Sequence, residues 1–143
     1  MNSDTGGVLE EQPLGYLMYR VVAVLQPKVA AQLQPLGLTL PEFVCLRLLS
    51  MAPGQSNAEL ARHTNVSPQA MNNVLRGLQD RGAVRRPATV DSGRALPAEL
   101  TAEGTDLLKR AEAAVLAAED EVLEGLDAEQ RRELKRLLAH AVT

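Results

Sequence analysis

The stretch from Ser67 to Gly82 carries its own start signal, its own stop signal and two chemically opposed faces. Ser67 is a helix-capping residue, and Pro68 suits the first helical position, where a missing N–H leaves nothing unsatisfied. Gly82 suits the left-handed position that follows a helix. At about 100° per residue, Met71, Val74, Leu75 and Leu78 fall on one narrow arc. Gln69, Asn72, Asn73, Arg76 and Asp80 stand on the opposite arc. The spacing predicts a helix running to Arg81, with an apolar spine backing a row of amide and guanidinium groups.

The flanking residues narrow the fold further. Ser56 precedes Glu59 by three, the spacing of a capping box, so a short helix is expected over Asn57–His63. Thr64-Asn65-Val66 then reads as a turn. After Gly82 the periodicity changes: Val84, Val90 and the alternating Ala95–Leu100 read as two short strands around a turn of Asp91-Ser92-Gly93-Arg94. Pro87 and Pro97 confine those strands to edges. Helix, turn, helix, β-hairpin over residues 56–100 is the order of a winged helix-turn-helix.

Longer helices are expected on either side of that lobe. Residues 1–12 read as a loose tail. Pro13 to Gln34 reads as a helix, kinked at Pro27. Its stripe is Leu14, Leu17, Met18, Val21 and Leu25, with Tyr16, Tyr19, Arg20 and Ala23 on the reverse side. Only Arg20 and Lys28 are charged in this helix, so both faces need cover, and one small domain cannot supply it. A partner subunit is implied. A second helix is expected over Pro41–Met51. Thr101 caps a helix of about 25 residues whose apolar side runs from Leu107 through Ala111, Ala114, Val115, Ala118 and Val122 to Leu126. Asp127 and Gln130 cap a last helix, to about Ala141, expected to bury Leu134, Leu137 and Leu138.

Composition agrees. The 143 residues include 24 Leu and 20 Ala but only 2% aromatics, which favours a helical core and excludes an all-β fold. A single Cys, Cys45, excludes a disulfide framework and a cysteine zinc cluster. His63 and His140 have no partners at metal-ligand spacing. No apolar run reaches the roughly 18–20 residues of a membrane span, and Met1–Gln12 is too polar for a secretory signal. A soluble, reduced, cytoplasmic protein without cofactor or metal is expected. The fold class is mainly α with a small β-hairpin wing. Residues 13–143 form one unit, with a DNA-binding lobe at about 40–100 and pairing helices at about 13–34 and 101–141.

Charge points to an anionic partner. The chain carries a net −3, yet from Arg62 to Arg94 there are six arginines against two acids. A basic island in an acidic chain suits a phosphate-facing surface. Asn and Gln can pair bidentately with adenine and Arg with guanine, so Gln69, Asn72, Asn73 and Arg76 read as major-groove contacts. Ser67 sits at a helix amino end, which favours a phosphate. Arg94 can enter a minor groove or hold a phosphate, with Asp91 pairing to it and shaping the wing. Of Arg85 and Arg86, one is expected on phosphate, and Arg86 is assigned that role. The parts of an enzyme are missing: there is no Gly-rich phosphate loop and no nucleophile beside a base. A helical protein–protein module is the alternative; it explains the apolar terminal helices but not the amide and guanidinium row.

The chain resembles the MarR (multiple antibiotic resistance regulator) family. The resemblance rests on Leu36-Gly37-Leu38-Thr39, Glu59-Leu60-Ala61, Val66-Ser67-Pro68-Gln69, Leu78 through Arg86, and Asp91-Ser92-Gly93-Arg94 with Leu100-Thr101-Ala102-Glu103-Gly104. It covers about residues 14–141. It implies a homodimer joined through the terminal helices, a palindromic double-stranded DNA operator, repression, and release by a small aromatic acid. It gives Arg94 the role of the wing arginine and Asp91 that of its supporting acid. It also implies a ligand pocket between the first two helices and the DNA-binding lobe. Arg20 is the candidate there for a carboxylate, with Tyr16 and Tyr19 beside it. One departure is the wing tip, where Ser92 and Gly93 precede a single Arg94.

Overall fold

The computed structural model describes residues 8–86 and 98–143. Its elements run α1 (Leu14–Leu33), a single 3-10 turn (Gln34–Leu36), α2 (Leu40–Met51), α3 (Asn57–Thr64), α4 (Pro68–Asp80), β1 (Val84–Arg85), β2 (Glu99–Leu100), α5 (Ala102–Val122) and α6 (Ala128–Ala141). The two strands pair antiparallel, Val84 opposite Leu100 and Arg85 opposite Glu99. This is the mainly helical winged arrangement expected from the sequence.

Side-chain caps set most helix starts. Thr39 accepts from the Glu42 amide while the Glu42 carboxylate accepts from the Thr39 amide, a full capping box that opens α2. Ser56, Ser67 and Thr101 accept from the amides of Glu59, Ala70 and Gly104. Asp127 and Gln130 form the second full box, at α6.

The core is aliphatic and lies where α2, α3, α4, β1 and α5 meet. Leu46, Leu49, Leu60, Met71, Leu75 and Leu78 are fully enclosed, and Val84, Leu107 and Ala111 close it. The ribbon is tied at both ends. Thr101 donates its amide to Ala83 O and its hydroxyl to Gly82 O, at 3.1 and 2.6 Å. Ala98 exchanges backbone hydrogen bonds with the Gly54–Gln55 loop, and Gln55 Nε2 donates to Leu48 O and Ala52 O. Such anchors supply what a two-stranded ribbon lacks on its own.

Within one protomer the terminal helices are largely open, as the uncovered faces of the first helix implied, while the helix after Thr101 and α6 depart from expectation. In α1 only Val29 and Leu33 are buried; Leu14 is 69% exposed, and Met18 and Val21 are also open. Pro27 lies inside α1 without ending it. The helix after Thr101 stops at Val122, shorter than expected. In α6 no residue is buried: Leu134 is half-buried, while Leu137 and Leu138 are 50% and 43% exposed. The reason is geometric. Among the described residues no element of the same protomer lies over α6, so its leucine stripe faces outward. Arg131 fixes its base instead, donating to Leu123 O, Leu126 O and Asp120 Oδ1 at the end of α5. Of the expected loose tail, residues 8–10 are helical. Val90, both wing prolines, Asp91 and Arg94 lie outside the described residues. No helix among the described residues is long and apolar enough to cross a membrane.

Candidate nucleic-acid interface

The turn between α3 and α4 is built by local chemistry. Asn65 ends α3 in the left-handed conformation at φ 56°, which Asn tolerates better than most residues. Ser67 then caps α4, with Pro68 in its first turn. Asn57 Nδ2 donates to Pro68 O at 3.0 Å, so the start of α3 holds the start of α4.

With that fixed, α4 turns its apolar side into the core, with Val74 half-buried at its edge. Met71, Leu75 and Leu78 have no solvent exposure. Gln69, Asn73 and Arg76 are exposed, Asn72 is half-buried, and Ser67 lies exposed at the amino end. Burial of the spine turns the polar row outward as one unit. Arg62 and His63, in the last turn of α3, are also exposed.

The arginines after α4 divide into three roles. Arg81 bends back: its guanidinium donates to Gly37 O and Leu36 O at 3.0 and 2.9 Å. Arg85 is exposed and pairs across the ribbon with Glu99 at 3.3 Å. Arg86 turns inward. Its Nε and Nη2 are buried and have no hydrogen-bond partner among the described residues. Assignment of Arg86 to an outer phosphate therefore fits its position poorly. The cause is the two-residue period of a strand. Val84 is buried and Arg85 exposed, and Arg86, half-buried just past β1, continues that alternation towards the side of Val84. That phase was readable in the sequence once Val84 was taken as core.

Arg86 lies close enough to Cys45 to act on its ionisation. Burial pushes the Cys45 thiol from 9.0 up to about 12; the positive charge of Arg86 opposes this and Glu42 adds to it. A thiol in that state is not a nucleophile near neutrality. Tyr16, Tyr19 and Arg20 lie on the open half of α1, with Tyr19 70% exposed, and Arg20 makes no hydrogen bond among the described residues. They share a surface, not an enclosed pocket, within one protomer. Among the described residues no group of His, Cys, Asp and Glu could hold a metal ion.

The MarR family model matches residues 38–96, the stretch that contains this interface. The HTH-type transcriptional repressor Rv2887 of Mycobacterium tuberculosis (strain ATCC 25618 / H37Rv) is 66% identical over 132 residues, covering 92% of this chain and 95% of that protein. A crystal structure of the M. tuberculosis MarR family protein Rv2887 in complex with DNA is similar at TM-score 0.81 and 61% identity, over 93% of this chain and 100% of that one. The structure of the same protein with salicylic acid is similar at TM-score 0.78 and 65% identity, over 93% and 98%. Wild-type MarR from E. coli shares the fold at TM-score 0.79 and 24% identity, over 92% and 98%.

Proposed function

The chain belongs to the MarR family, and from that premise we propose that it is a homodimeric transcriptional repressor that reads a palindromic operator and lets go of it when a small aromatic acid binds. The observation that carries this reading is the exposed row of Gln69, Asn73 and Arg76 on a helix whose opposite Met71, Leu75 and Leu78 are wholly enclosed. The function is binding, with no chemical step.

In this reading Gln69, Asn72, Asn73 and Arg76 contact base edges in a major groove. Ser67 and the α4 amino end meet a phosphate. Arg94, steadied by Asp91, serves the wing. The open apolar halves of α1 and α6 pair with a second copy, which covers Leu14, Met18, Leu137 and Leu138. Two α4 helices then enter successive major grooves about 34 Å apart.

The complexes of the similar M. tuberculosis protein with salicylic acid and p-aminosalicylic acid support an aromatic acid as effector. A carboxylate needs a guanidinium. Arg86 is the first candidate, because two buried nitrogens without a partner among the described residues cost stability that an anion restores. Arg20, with Tyr16 and Tyr19, is the second, at the surface where the partner subunit closes over α1. An effector that prefers a lobe spacing unsuited to DNA weakens binding by its differential affinity for the two states.

Selection from a random DNA pool, followed by gel shift on the enriched sequence, tests the reading. A retarded band and an enriched inverted repeat are expected. Enrichment of nothing, or retardation of all sequences alike, contradicts it.

A further inference from the structure

The link from Arg81 to the turn after α1 has no role in the reading given so far. Arg81 is the residue that ends α4. Its two hydrogen bonds cross 44 and 45 residues of chain to Gly37 O and Leu36 O, where α1 has just ended through its 3-10 turn. Those carbonyls are helix-end acceptors without helical donors. Elsewhere α4 packs on α2, α3 and β1. Among the described residues, Arg81 is the one side chain whose hydrogen bonds join α4 to the end of α1.

The geometry of the link is directional. A guanidinium presents its N–H groups in a rigid plane, so two adjacent acceptors fix its direction as well as its distance. Gly37 is suited to receive it: it holds φ 68°, and a Cβ there would lie 3.6 Å from Arg81 Nη1. The seat is formed by a left-handed glycine and the fork by the last residue of the recognition segment.

We propose that Arg81 is a positioning residue that sets the placement of α4 relative to α1 and thereby the half-site separation the dimer accepts. This rests on the proposed function, in which α1 belongs to the subunit seam and α4 reads the groove. The angle between seam and reading row then fixes how far apart two copies of α4 stand. Arg81 touches no base; it acts through α4.

The test uses the full-length protein and three duplexes: the selected operator, and the same operator with one base pair added or removed at its centre. Each change moves the half-sites by about 3.4 Å and rotates them by roughly 35°. Wild type is expected to lose about tenfold in affinity on either altered duplex, the equivalent of one lost charge-assisted hydrogen bond. Arg81→Gln is expected to narrow that preference to within about threefold, and Arg81→Lys, able to reach one carbonyl, to fall between. Arg47→Gln removes an exposed pair of similar kind, Arg47 Nη1 to Glu112 Oε1 at 2.6 Å, away from α4, and is expected to keep the wild-type preference. Thermal unfolding of each variant separates lost folding from lost placement. A wild type with no spacing preference contradicts the paired half-sites themselves. A wild-type preference that Arg81→Gln retains, or that Arg47→Gln loses equally, overturns the role of Arg81 alone.

Discussion

The first turn of α5 passes so close to the start of β1 that a Cβ on Gly104 would lie 1.9 Å from the carbonyl oxygen of Ala83. That carbonyl accepts from the Thr101 amide, and Thr101 caps α5, so neither side of the contact has room to move. Gly104→Ala is expected to destabilise the protein by about 3 kcal/mol or more, at the upper end of overpacking. Gly125, where a Cβ meets nothing within 4 Å, is the control; Gly125→Ala is expected within about 0.5 kcal/mol of wild type. Denaturant midpoints at equal slope check both.

Cys45 gives a pH dependence of defined sign. In the folded chain burial raises its thiol from 9.0 to about 12. Above pH 9 the unfolded chain releases this proton while the folded chain keeps it. Stability therefore falls as pH rises from 9 towards 12, and is unaffected by this group below pH 9. Cys45→Ala is expected to flatten the slope in that window, measured as the difference between two pH series of unfolding free energies. At neutral pH, a thiol reagent is expected to label Cys45 only as fast as the protein opens. Rapid labelling of the native protein contradicts its enclosure.

Arg76 and Arg94 are expected to fail in different ways. Under the proposed function Arg76→Ala removes a base contact and is expected to cost roughly 1–3 kcal/mol on the operator with little change on random DNA. Under the same proposal Arg94→Ala removes a phosphate contact; it is expected to weaken all sequences alike and to reduce the salt slope by about 1. Titrations on operator and random duplexes at several salt concentrations distinguish them. Equal losses on both duplexes for Arg76→Ala contradict its base-reading role.

The effector reading is tested by thermal shift with salicylic acid. Ligand at a hundredfold excess over its Kd stabilises by about 2.7 kcal/mol. Arg86→Gln is expected to remove most of that gain and Arg20→Ala to retain it. Loss in Arg20→Ala alone moves the site to the α1 surface, and retention in both variants contradicts an arginine-held carboxylate at either place.

What could be read from the sequence follows a physical division. The reading helix was legible because its signals are local: Ser67 and Pro68 start it, Gly82 stops it, and its burial follows a 3.6-residue period. The Asp127–Gln130 box was legible for the same reason. Thr39 and Glu42 had the same spacing, and their box was missed. The inward turn of Arg86 depends on strand phase over two residues, too short a run to reveal its direction without Val84 as reference. Leu134, Leu137 and Leu138 make the same stripe whether their cover comes from the same chain or another copy, and only the fold shows that none of the described elements covers them. The Arg81 link spans more than forty residues and leaves no local pattern.

Under the proposed function two copies present their α4 helices to two grooves of one duplex. Sedimentation of the protein with its selected operator, followed by mass from the equilibrium profile, measures this directly. The expected result is a protein that is dimeric without DNA, two protomers per duplex, and dissociation to monomers in Leu137→Glu/Leu138→Glu with helical content retained. A stable lone protomer for wild type, or one protomer per operator, contradicts it.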